Sequence, residues 1–181
     1  RNNMKRTSTQ NLVLAGLFIA LGIILPYFTG RLQALGRALL PMHIPVLIAG
    51  FVCGWPYGLV VGFITPLLNS IITTMPPMFP MAVVMAFELA AYGLLTGLLY
   101  EIMPKKDAFV YPALLLSMLA GRIVWGIASL FFLGISGDGF TWQAFIAGAF
   151  ANALPGIIVQ IVIIPIIIIA LRKTGFMENE K

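Results

Sequence analysis

Six apolar runs, joined by short polar turns, occupy nearly all of this chain and leave it few folds to choose from. They lie at about residues 10–28, 43–54, 57–74, 80–100, 109–133 and 142–171. A helix needs roughly 20 apolar residues to cross a bilayer core. In that core every backbone N–H and C=O must be bonded inside the protein, a condition a helix meets by itself. The pattern therefore predicts an all-α polytopic membrane protein, a six-helix transmembrane bundle. The chain is 60% hydrophobic and 9% charged, with a mean hydropathy of +1.01, where a soluble domain carries about 25% charge. The runs are too many and too long for a signal peptide. Arg1-Asn2-Asn3, ahead of Met4, read as an appended remnant, and residues 4–181 as a single transmembrane unit.

The second run is short, roughly 18 Å for 12 helical residues, so it starts below the membrane surface or borrows Leu39-Leu40. Gly54-Trp55-Pro56-Tyr57-Gly58 predicts a tight turn with an aromatic pair at interface level. Met75-Pro76-Pro77-Met78-Phe79-Pro80 cannot be helical throughout, because proline removes donors and restricts the residue before it. Charge sets the orientation. With the N-terminus inside, Lys5, Arg6, Lys105, Lys106, Arg172, Lys173 and Lys181 are cytoplasmic, against Arg31 and Arg37 outside. The excess predicts both termini in the cytoplasm and puts Asp138 outside. The outer connection at 29–42 carries Gly30 and Gly36 and reads equally as a lid or an ordinary loop.

Glu88 and Arg122 lie inside the fourth and fifth runs, where a formal charge costs at least about 2.5–3.5 kcal/mol. At about 1.5 Å per residue, Glu88 is roughly 12 Å from the outer face, Arg122 roughly 17 Å, Asn152 roughly 15 Å and Asn69 roughly 8 Å. His43 stands near the outer start of the second run. Five polar groups from five runs thus share the outer half of the membrane, as an outward-facing pocket requires. Other readings stand beside this one. Glu88 and Arg122 could be an ion pair that only locks two helices, and Asn69 and Asn152 could be interhelical hydrogen-bond partners. His43, between Pro41 and Pro45, could cap a helix or touch a ligand. Trp125, one turn from Arg122, could pack or hold a flat ligand beside the cation. Met75, Met78, Met81 and Met85 line the outer end of runs three and four as packing or an adaptable wall, and Gln160 is assigned to packing.

In the first run Ala15, Gly16, Ile19 and Ala20 contain a small-xxx-small pair, Gly16 and Ala20, that lets another helix approach closely. That helix could belong to this chain, the simpler case, or to a partner. Cys53 rules out an internal disulfide and reads as a small core residue. There is no Walker A loop, no HExxH or Cys–His cluster and no nucleophile elbow. No cofactor, metal site, nucleic-acid partner or enzyme activity is expected. Polarity confined to the outer half of otherwise apolar spans favours a binding protein over a channel.

The sequence resembles the substrate-binding S components of energy-coupling factor (ECF) vitamin transporters over nearly its whole length. The resemblance rests on Leu14-Ala15-Gly16-Leu17-Phe18-Ile19-Ala20-Leu21, similar to the family's Ala-x-x-x-Ala motif with Gly16 in place of the first Ala. Pro41-Met42-His43-Ile44-Pro45-Val46-Leu47, Gly54-Trp55-Pro56-Tyr57-Gly58 and Phe87-Glu88-Leu89-Ala90-Ala91-Tyr92-Gly93 add to it. It implies a prokaryotic cytoplasmic-membrane protein that binds a water-soluble vitamin; Arg122 would suit a carboxylate such as pantothenate, and Glu88 with His43 and an asparagine a hydroxyl-rich pyridine such as vitamin B6. His43, Asn69, Glu88, Arg122, Trp125 and Asn152 would line the site. It further implies a transmembrane coupling subunit, met by the Ala15, Gly16, Ile19 and Ala20 face, and two cytoplasmic ATPases that hydrolyse the ATP. The competing expectations are a non-binding assembly subunit with a buried Glu–Arg pair and an intramembrane enzyme.

Overall fold

A computed structural model describes residues 7–29, 40–137 and 139–177. Outside them lie Arg1-Asn2-Asn3, Lys5, Arg6, most of the 29–42 connection with Arg31 and Arg37, Asp138 and Lys181. The described residues are all-helical: α1 (Ser8–Thr29), α2 (His43–Cys53), α3 (Trp55–Thr73), a π-turn (Met78–Ala82) running into α4 (Val83–Ile102), α5 (Asp107–Ser136), α6 (Trp142–Ile146), a second π-turn (Ala147–Ala151) and α7 (Leu154–Lys173). Five helical stretches are long and apolar enough to cross a membrane, and α2 is a shorter apolar helix. Large apolar side chains such as Leu12, Ile71, Ile127 and Ile166 face outward, more than 60% exposed, while His43, Glu88 and Arg122 are buried. That inversion of the soluble-protein pattern fits a lipid surround.

At 11 residues α2 is roughly 16 Å long, too short to span by itself. Every residue of it except Ile44 is buried, as expected of a helix apolar on all sides. It packs on α1, α3, α4 and α7. The turn into α3 is tighter than the expected five residues. Trp55, Pro56 and Tyr57 already form the first turn of α3, and Gly54 alone reverses the chain at φ 89°. Proline at the start of a helix loses no bond it could have made.

The most extensive packing joins α3 and α4, antiparallel. A Cβ on Gly62 would strike the carbonyl of Leu89, and one on Gly58 the carbonyl of Gly93. Gly58-x-x-x-Gly62 against Gly93-x-x-x-Gly97 thus puts two backbones in direct contact and fixes where α4 presents Glu88. The 75–80 segment is irregular, as expected: Thr74 is left-handed (φ 61°) and Phe79 extended (φ −125°, ψ 134°). The sixth run is not one helix. It breaks at Asn152-Ala153, after the π-turn and before Pro155 in the first turn of α7, because proline has no N–H to continue the ladder across that point.

Candidate functional site

Glu88, in the second turn of α4 and on its buried face, is the hub of the buried polar cluster. Its Oε1 accepts from Arg122 Nη1 of α5 at 3.0 Å and lies 3.4 Å from His43 Nε2 at the start of α2. Tyr92, one turn along α4 from Glu88, stands beside the same carboxylate. Its ring meets the His43 ring edge-on at 5.4 Å. Gly121, beside Arg122, makes room for that ring: a Cβ there would stand 2.6 Å from it. Three helices are therefore tied together at one carboxylate.

Exposure of His43, Glu88 and Arg122 is 2%, 1% and 5%, so the cluster is closed to water. Pairing removes most of the cost of burying the two charges, yet the polar groups are not all satisfied. Arg122 Nε and Nη2 and His43 Nδ1 are buried with no hydrogen-bond partner among the described residues. Nε–H and one N–H of Nη2 lie side by side on one edge of the guanidinium. That edge has the fork geometry that receives a carboxylate in two parallel bonds. Glu88 holds one end of Arg122, and this edge has no partner among the described residues.

The other expected site residues do not join the cluster. Asn69 donates from Nδ2 to the carbonyl of Met75 at 2.9 Å, and its own carbonyl accepts from Thr73 Oγ1 at 2.8 Å. It anchors the irregular segment after α3. Asn152 is exposed at the break before α7. Trp125 is half-buried and stacks on Phe145, with ring centroids 6.2 Å apart, while Gly148 lies under its ring. A separate cleft of about 380 Å3, lined by Ile23, Ile24, Tyr27, Phe28, Ile72 and Thr73, holds none of these residues.

The model of the family described as ECF transporter, substrate-specific component matches residues 10–168. This chain belongs to that family. Nothing matches among curated proteins or among solved structures. As an ECF substrate-specific component it is a transmembrane transport protein that serves a small-molecule substrate in association with ECF transmembrane and ATPase subunits. Components of this family are substrate-binding subunits rather than enzymes.

Within that frame, the small-residue face of α1 divides. Ala15 is buried and Ile19 half-buried, on the side that packs against α2 and α3. Gly16 and Ala20 are exposed, and a Cβ on Gly16 would meet nothing within 4 Å. No neighbouring helix among the described residues covers Gly16. Sequence reasoning also passed over Tyr92 and Gly121 as parts of the site. The available signal for Tyr92 was its i+4 spacing from Glu88 on one helix face.

Proposed function

We propose that this ECF substrate-specific component binds a water-soluble vitamin of the pantothenate or vitamin B6 type and delivers it for uptake. A coupling subunit in the membrane and two cytoplasmic ATPases complete the transporter. The observation that carries the reading is the buried, unpartnered Nε/Nη2 edge of Arg122. In an apolar interior each unmade bond costs about 1–3 kcal/mol or more, a penalty that a bound carboxylate removes. Pantothenate has that carboxylate and pyridoxine does not, so the open edge favours the former.

Arg122, held in place by Glu88, receives the anionic end of the vitamin with His43 beside it, and Trp125, Asn69 and Asn152 lie along its path from the outer face. Both termini are cytoplasmic, consistent with Lys105 and Lys106 between α4 and α5 and with Arg172 and Lys173 in the last turn of α7. The uncovered Gly16 and Ala20 stripe of α1 is the face offered to the coupling subunit. Few charges need to cross hydrocarbon when such a protein reorients to release its cargo. The placement is the cytoplasmic membrane of a prokaryote.

The test is a thermal-shift and calorimetric panel of water-soluble vitamins on the purified protein. A carboxylate-bearing vitamin is expected to bind, and Arg122→Met to abolish that binding. No signal from any vitamin would sink the proposal. A second reading, in which the cluster only locks helices, is favoured by the 3.0 Å Glu88–Arg122 contact. It expects the variant with both residues made apolar to bind as the wild type does.

A further inference from the structure

Gln160 on α7 has 0% exposure, and neither atom of its amide has a hydrogen-bond partner among the described residues. A primary amide offers two donors and an acceptor with two lone pairs. Leaving all of them unmade in an apolar interior is costly, and Met would fill similar space without that cost. Packing therefore does not account for Gln160, contrary to the expectation from the sequence.

Its position suggests what does. The buried residues of α7 include Gly156, Gln160, Ile164 and Ile168, one every four residues. That stripe faces the interior, where α7 packs against α2 and α5. Arg172 Nη1 meets Asp107 Oδ1 at 2.8 Å, which sets α7 antiparallel to α5 and fixes their register at that end. From Arg172 to Gln160 is twelve residues, roughly 18 Å along α7, and from Asp107 to Arg122 fifteen, roughly 22 Å along α5. Gln160 thus lies about one helical turn from the level of Arg122, toward the Arg172–Asp107 end. Two side chains with orphaned polar groups, one cationic and one amide, occupy successive levels of one interior.

We infer that Gln160 is a second reading group of the same site: it pairs with an amide-like donor–acceptor group of the ligand, one turn deeper than the carboxylate held by Arg122. The inference rests on the vitamin-binding reading. A secondary amide is trans, its N–H and C=O pointing opposite ways, so Gln160 meets one side of it: its side-chain carbonyl accepts from the ligand N–H. An anion with an amide a few bonds from its carboxylate, as in pantothenate, matches the two levels.

The experiment titrates wild type and Gln160→Met with pantothenate and with its ester analogue, in which oxygen replaces the amide N–H. Wild type is expected to prefer the amide. In Gln160→Met, pantothenate affinity is expected to fall about ten- to hundredfold, with the preference lost. The variant without ligand should melt no lower than wild type, because the orphaned amide is gone. Unchanged affinity and unchanged amide preference would overturn the role of Gln160 and leave vitamin binding standing. So would a variant that melts lower than wild type with affinity intact, which marks a structural role. A wild type that binds neither compound fails the vitamin reading and this one with it.

Discussion

Replacing Arg122 alone, Glu88 alone and both together separates a paired buried charge from a merely adjacent one. In Arg122→Met the carboxylate of Glu88 keeps 1% exposure but loses its partner at 3.0 Å. His43, at 3.4 Å, remains as the nearest donor. Breaking one side of a buried pair typically costs 3–5 kcal/mol, because an uncompensated charge is left behind. For a chain of this size that is a fall of about 6–20 °C in melting temperature, at roughly 2–4 °C per kcal/mol. Glu88→Leu strands the guanidinium and should cost about as much. The double variant leaves no charge to desolvate, and apolar replacements of buried pairs are often neutral or stabilising. Its melting temperature should recover to within a few degrees of wild type, which implies a coupling energy of at least about 3 kcal/mol. Thermal unfolding in detergent, followed by helical circular dichroism, gives all four corners of the cycle. Additive losses would refute the pairing, as would single variants that each cost less than about 1 kcal/mol.

Further outcomes follow from the packing. Gly62→Val should lower the melting temperature strongly, since its side chain must enter the Leu89 backbone and overpacking costs about 1–3 kcal/mol even where neighbours can move. Gly134→Ala, with nothing within 4 Å of the new methyl, should be neutral or slightly stabilising in the same assay. Asp107→Asn should cost at most about 1 kcal/mol, with less effect in high salt, because the Asp107 side chain is 51% exposed although its partner Arg172 is buried. Gly16→Leu should leave melting temperature and vitamin affinity unchanged but abolish co-purification with the coupling subunit. Retained co-purification would remove that face from the assembly.

The elements were largely legible because hydropathy is a bulk property of each run. The helices fall where the apolar runs do, and the proline-rich 75–80 segment is irregular for the reason proline dictates. Residue-scale features were less visible. The break at Asn152-Ala153 needed the position of Pro155 to be weighed against an apolar run that continues through it. The close approach of α3 and α4 is written in Gly58-x-x-x-Gly62 and Gly93-x-x-x-Gly97, the same small-residue spacing as Gly16 and Ala20 in α1, and spacing alone does not say which of them meets a helix of this chain. The cost of burying a charge singled out Glu88 and Arg122 from the sequence, but whether they met each other or a ligand stayed open until the 3.0 Å contact placed them together. Asn69 and Asn152 could not be placed that way. An asparagine carries no charge that must be neutralised, so depth says little about its partner, and Asn69 turned to a loop carbonyl instead. Gln160 shows the limit from the other side: what sets it apart is the absence of partners among the described residues, which only a three-dimensional arrangement reveals.

The central claim, that the free edge of Arg122 receives a vitamin carboxylate, is tested most directly by calorimetric titration of the detergent-solubilised protein. The titrants are pantothenate, the alcohol in which CH2OH replaces its carboxylate, and pyridoxine. Two charge-assisted bonds at about 1.5–3 kcal/mol each predict that pantothenate binds about a hundred- to ten-thousandfold more tightly than the alcohol. Equal affinity for acid and alcohol, or binding of pyridoxine alone, would contradict it.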